Sequence, residues 1–158
     1  MQSYKINATQ PTRISIKSQK NGSRLSVFDR LRKRYVALTP EEWVRQHFVE
    51  YLIEEKQFPA ALMANEVSLT QNGIKRRCDT LVADREGQPL VIVEYKAPEI
   101  EITQQVFDQI VRYNMVLRAR YLMVSNGMTH YCCQIDYANN TYSFLNDIPE
   151  YAELLQPS

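Results

Sequence analysis

The run Leu90-Val91-Ile92-Val93, closed by Glu94-Tyr95-Lys96, constrains this chain more than any other stretch. Four consecutive apolar residues, three of them β-branched, read as a central strand buried on both faces. Ala97-Pro98 stops the strand. Glu94 and Lys96 are two apart and share one face, with Tyr95 on the other. An acid and a lysine at the end of so apolar a run cost desolvation energy unless they are partnered.

The partner is legible in the preceding hairpin. Arg77–Ala83 reads as a strand, and Asp84-Arg85-Glu86-Gly87-Gln88-Pro89 as a polar turn. If the hairpin is symmetric about Glu86-Gly87, paired positions add to 173, so Leu81 faces Ile92 and Asp79 faces Glu94. Opposed residues have Cβ atoms about 4.5–5.5 Å apart. Two adjacent carboxylates repel, and one is driven to protonate unless a cation relieves the pair. Mg2+ binds through one or two carboxylates and keeps positions for water and phosphate. Asp79, Glu94 and Lys96 therefore suit metal-dependent phosphodiester hydrolysis, with Lys96 orienting the attacking water or neutralising phosphate charge. A bland alternative stands beside this: a cross-strand Asp79–Lys96 ion pair, with Glu94 solvated at a strand end.

Around this hairpin the pattern predicts one mixed α/β (α+β) domain. Residues 12–28 read as a hairpin turning at Asn21-Gly22. Thr39-Pro40-Glu41-Glu42 starts a helix with Thr39 as N-cap, running to Glu55 or Lys56 with Val44, Phe48, Tyr51 and Leu52 on its apolar face. Glu41, on the side of Val44 and Phe48, is placed to bring a third carboxylate. Acids in a first turn are also favoured by the helix dipole alone, and Glu42 is assigned to the cap. Glu66–Leu69 is a strand, with a turn at Asn72-Gly73. Residues 103–119 form a second helix, placing Gln109 and Tyr113 four apart on one face. Tyr121–Ser125 is a strand, Tyr131–Tyr137 and Thr141–Leu145 a hairpin, and Pro149–Leu155 a terminal helix.

Charge is distributed unevenly. The 158 residues carry a net +1, but residues 1–35 hold nine Lys and Arg against Asp29 alone, and the remainder holds ten against seventeen acids. A basic extension over 1–35 on an acidic domain over 36–158 points to a polyanion partner, or to an arm packed on its own body. Arg30, Arg32, Lys33 and Arg34 form one basic cluster, and Lys75-Arg76-Arg77 a second one beside Asp79; both suit a phosphate backbone. No apolar run approaches a membrane span and no signal-peptide core is present, so a cytoplasmic location is expected. Cys78, Cys132 and Cys133 fit no zinc motif and read as buried thiols; the vicinal pair points to opposite faces of a strand. His47 and His130 lack companions for a zinc site, Ser125 lacks a nucleophile-elbow context, and there is no Gly-rich nucleotide loop.

Asp79 followed by Glu94-Tyr95-Lys96 resembles the PD-(D/E)xK nuclease signature, with Cys78 where the leading Pro often stands. Gln109-Ile110-Val111-Arg112-Tyr113 resembles the Q-x-x-x-Y motif of the RecB-like branch. Leu38–Gln46, Val93–Pro98 and Phe107–Asn114 are similar to the N-terminal nuclease domain of type I restriction enzyme R subunits, most of all to its small stand-alone bacterial relatives. The resemblance covers roughly residues 25–150. It implies a restriction-endonuclease-like mixed sheet flanked by helices, with an αβββαβ core. It implies Asp79, Glu94 and the Tyr95 carbonyl as ligands of Mg2+ or Mn2+, and Lys96 as the catalytic lysine. It implies Gln109 and Tyr113 as supporting or DNA-contacting residues, and an acid from the first helix, for which Glu41 is chosen over Glu42. The expected activity is DNA endonuclease, or else DNA binding or partner docking by a catalytically silent nuclease fold. No motor portion or P-loop is present, so motor or specificity subunits are expected on another chain, and a homodimer is plausible because many nucleases of this fold cut as dimers.

Overall fold

The computed structural model describes residues 4–5, 16–18 and 24–157, with side chains from 24 onward. The elements in chain order are β1 (Tyr4–Lys5), β2 (Ile16–Ser18), β3 (Leu25–Asp29), β4 (Arg34–Ala37), α1 (Pro40–Lys56), β5 (Met63–Gln71), β6 (Ile74–Ala83), β7 (Pro89–Tyr95), α2 (Gln104–Asn114), β8 (Tyr121–Ser125), β9 (Thr129–Asp136), β10 (Thr141–Phe144) and α3 (Tyr151–Leu154). The α1-β5-β6-β7-α2-β8 succession is the expected αβββαβ core.

α1 begins where its capping residues dictate: Thr39 Oγ1 accepts the Glu42 amide at 3.0 Å, and Pro40 supplies a preset φ. It ends at Gln57, which turns left-handed (φ 59°) and lets Phe58 N–H reach back to Leu52 O at 3.0 Å. α2 is capped in the same way by Thr103. It stops at Asn114 and gives way to a 3-10 turn over Met115–Leu117, shorter than the pattern predicts because Arg118 turns left-handed.

The main sheet has the order β1-β9-β8-β7-β6-β5, with β10 also on β9. β5, β6 and β7 form an antiparallel meander, and α2 carries the chain over to β8, which runs parallel to β7. β7 is therefore central, as its apolar run requires. Its alternate residues divide the core in two. Val91, Val93 and Tyr95 pack under α1 with Val44, Phe48 and Leu52, while Ile92 packs under α2 with Phe107, Ile110 and Val111. Cys132 and Cys133 fall on opposite sides in the same way, and all three thiols are buried and free.

The basic segment is partly integrated into the body. β2, β3 and β4 form a second sheet in which Ile16 pairs Val27 and Val27 pairs Val36. The Asn21-Gly22 turn expected between β2 and β3 lies outside the described residues. Among the described residues no helix is long and apolar enough to cross a membrane.

Candidate active site

The β6–β7 hairpin has the register read from its turn: Leu81 opposes Ile92, Thr80 opposes Val93 and Val82 opposes Val91. The regular ladder stops at Thr80. On the other side of β6, Asn65 pairs Thr80 and Val67 pairs Cys78, but Glu66, at φ 56°, is skipped. Asp79 thus pairs with neither flanking strand, although the β5–β6 register runs on unchanged past it, from Asn65–Thr80 to Val67–Cys78. Side chains take over its backbone role. Asp79 Oδ2 accepts the Tyr95 amide at 2.9 Å, and the Asp79 carbonyl accepts Nη1 of Arg45 at 2.5 Å.

Glu94 lies beside Asp79 at the end of β7. Its pKa is pushed up to about 9, first by burial, then by the charge and hydrogen bonding of Asp79; Asn114 and Lys96 pull in the opposite direction. Glu94 Oε1 and Asn114 Oδ1 are buried acceptors without a donor among the described residues. Unmet buried acceptors are costly, and two carboxyl groups beside each other compound the cost. A hard divalent cation answers this donor chemistry, since it accepts carboxylate and amide oxygens. Among the described residues no group of three or more His, Cys, Asp or Glu is placed to hold a metal, so the protein offers a carboxylate pair rather than a cage.

Lys96 follows directly after β7, its amide donating to Ser125 O at 2.9 Å. It makes no ion pair within 4 Å among the described residues, so the cross-strand Asp79–Lys96 bridge is absent. The Tyr95 side chain faces away, under α1, with its hydroxyl 2.9 Å from Thr80 Oγ1.

Gln109 and Tyr113 are both exposed on α2. Tyr113 stacks under Arg76 (4.6 Å), whose Nε donates to Tyr113 O at 3.0 Å. Its spacing with Val106, Ile110 and Leu117 marks it for the core, but it sits on β6 at the basic cluster instead.

The structure does not bring Glu41 to the carboxylate pair. Glu41 is exposed, and the buried acid of that turn is Glu42. Nor does the Glu42 side chain serve the cap. It receives Arg32 at 2.6 Å, Arg45 at 2.8 Å and Gln46 at 3.0 Å. α1 packs against β3 and β5 on this side, and a carboxylate there is tolerated only when cations seal it. The chain of charges continues from Arg45 to Glu66 (2.5 Å) and from Glu66 to Arg77 (2.6 Å).

At the head of this network is Asp29, fully buried. It accepts the amides of Leu31 and Arg32 at 2.8 Å each, Arg32 Nε at 2.6 Å and Asn65 Nδ2 at 2.8 Å. Burial raises its pKa, but the Arg32 and Asn65 hydrogen bonds outweigh that and hold it below the usual carboxylate range. Asn65 passes the network to Thr80 (2.6 Å), and so to Tyr95. Asp29, Arg45, Asn65 and Thr80 escape sequence reading. The one available hint is that Asp29 is the lone acid in a basic segment.

The basic clusters divide accordingly. Arg30 pairs with Glu50 and Glu54, Arg32 with Asp29 and Glu42, and Arg77 with Glu66. Lys33, Arg34 and Lys75 are exposed and make no ion pair among the described residues.

Fold and site together define a mixed-sheet, nuclease-like α/β domain with a carboxylate pair beside a lysine at the end of its central strand. The chain belongs to the family described as type I restriction enzyme R protein N terminus (HSDR_N), whose model matches residues 40–149. Among solved structures it is similar in fold to a fragment described as an HsdR subunit of a type I restriction enzyme from Vibrio vulnificus YJ016, with a TM-score of 0.52 and 22% identity. That match covers 74% of this chain, which spans only 24% of the fragment's length. No curated protein matches.

Proposed function

We propose that this chain is a Mg2+- or Mn2+-dependent DNA endonuclease domain of the PD-(D/E)xK type. The observation that carries this reading is Glu94 beside Asp79: burial and the neighbouring Asp79 charge disfavour the Glu94 carboxylate, and its Oε1 is buried with no hydrogen-bond partner among the described residues. Asp79 and Glu94 would hold the cation, joined by the Tyr95 carbonyl. When bound, the cation supplies Lewis acidity toward a phosphate oxygen and toward water. Lys96, at the same strand end and without an ion pair among the described residues, would neutralise phosphate charge and orient the attacking water. The exposed Gln109, Tyr113 and Lys75, with the half-buried Arg76 among them, present a surface to the DNA backbone, with Lys33 and Arg34 as further phosphate contacts. Action on DNA would put the domain in the cytoplasm, with a motor or specificity component, or a second copy of this chain, as partner.

The test is plasmid and single-strand DNA cleavage with Mg2+ or Mn2+ and after chelation, comparing the unaltered chain with Asp79→Asn and Lys96→Ala. Metal-dependent nicking lost in both variants supports the reading. No cleavage by any version, with salt-sensitive DNA binding retained, replaces it with a silent DNA-binding module.

A further inference from the structure

We propose that Arg45, on α1, is a positioning residue that sets the divalent-cation affinity of the Asp79–Glu94 pair; this rests on the metal-dependent reading above. Asp79 is where β6 leaves the regular pairing of both neighbouring strands. Pairing lapses at Asp79 itself, between Asn65–Thr80 and Val67–Cys78, so its carbonyl and carboxylate take partners from outside the ladder. Arg45 supplies the missing restraint, since its Nη1 donates to the Asp79 carbonyl at 2.5 Å.

The guanidinium is itself held on every side. Its Nε donates to Glu42 at 2.8 Å and its Nη2 to Glu66 at 2.5 Å, and its carbon lies 5.6 Å from the centre of the Tyr95 ring. Glu66 is the residue skipped opposite Asp79, so Arg45 ties together the two positions at which β5 and β6 part. A planar group with five donors spans three acceptors in fixed directions, which a lysine ammonium cannot reproduce. The other half of the restraint is the Asp79 carboxylate on the Tyr95 amide. With the carbonyl and the carboxylate each anchored, Asp79 has one orientation relative to Glu94.

Outer residues that orient a metal ligand typically change affinity 10–100-fold when removed. The experiment measures Mn2+ binding by calorimetry, together with amide hydrogen exchange at Tyr95, in the unaltered chain, Arg45→Met and Glu66→Gln. Leu52→Ala, in the α1 core away from the pair, controls for general destabilisation. The expected result is a Mn2+ Kd raised about tenfold or more in Arg45→Met, raised less in Glu66→Gln, and unchanged in Leu52→Ala. Tyr95 exchange should accelerate more than that of Ile92 in Arg45→Met alone. Glu66→Gln keeps the test decisive if Arg45→Met does not fold. An unchanged Kd in the folded Arg45 or Glu66 variant overturns the proposal. If the unaltered chain binds no Mn2+, the functional reading fails; selective acceleration at Tyr95 would then still separate the restraint from the failed metal reading.

Discussion

Asp79 and Tyr95 are joined by a bond in which a carboxylate takes a main-chain amide, Oδ2 to N at 2.9 Å, where β6 and β7 cease to pair regularly. The consequence is local. One oxygen of Asp79 is spent on the backbone, and the side chain is directed along the strand end that carries Glu94 and Lys96.

Lys96→Ala separates chemistry from stability. The side chain makes no ion pair among the described residues, so its truncation should change unfolding free energy by under about 1 kcal/mol. Loss of a group that stabilises charge at the reacting phosphate should lower cleavage about 100-fold or more. Plasmid-nicking rates measured beside urea denaturation check both halves.

Asp29→Ala should be far more damaging than any change at Glu41. It removes one of the two carboxylate partners of the half-buried Arg32, and the buried acceptor of two amides and of Asn65. Breaking a buried ion pair on one side costs about 3–5 kcal/mol. Denaturant midpoints should fall accordingly for Asp29→Ala, whereas Glu41→Ala, at an exposed position, should stay within about 0.5 kcal/mol.

His130 gives the fold an acid-sensitive element. Burial holds its imidazole down to about 4; Asp147 acts in the opposite direction and Lys56 in the same one. The unfolded chain binds this proton near pH 6.5 and the folded chain only near 4, so the contribution is fully present above 6.5 and is lost as pH falls toward 4. By pH 5 the loss is about 2 kcal/mol. Chemical denaturation from pH 7.5 to 5 should show this slope in the unaltered chain and a shallower one in His130→Gln.

The basic residues should differ in DNA binding according to their partners. Arg76 lies half-buried over Tyr113 and makes no ion pair among the described residues, while Arg30 is engaged by Glu50 and Glu54. Arg76→Ala should weaken DNA binding without sequence preference and reduce the salt slope by about 1, as loss of one phosphate contact does. Arg30→Ala should leave the slope unchanged. Fluorescence anisotropy across a salt titration distinguishes them.

What the sequence determined by itself is what depends on neighbours along the chain. Thr39-Pro40 could place the start of α1 because a cap is a bond between residues three apart. The polar turn at Asp84–Pro89 could set the pairing of Thr80, Leu81 and Val82 with Val93, Ile92 and Val91, which brings Asp79 to the strand end that carries Glu94, although the register shifts at Ala83 and the ladder stops before Asp79. Alternation along β9 sent Cys132 and Cys133 to opposite faces. The tertiary structure decided which charges are buried. Glu41 and Glu42 are equivalent acids in one helical turn until α1 docks against β3 and β5; only then does Glu42 meet Arg32 and Arg45 while Glu41 stays in water. Arg45 reaches Asp79 across 34 positions, and Asn65 reaches Asp29 across 36. Such contacts leave no periodic trace, because the cost of burying each charge is offset by a partner that the local sequence does not contain.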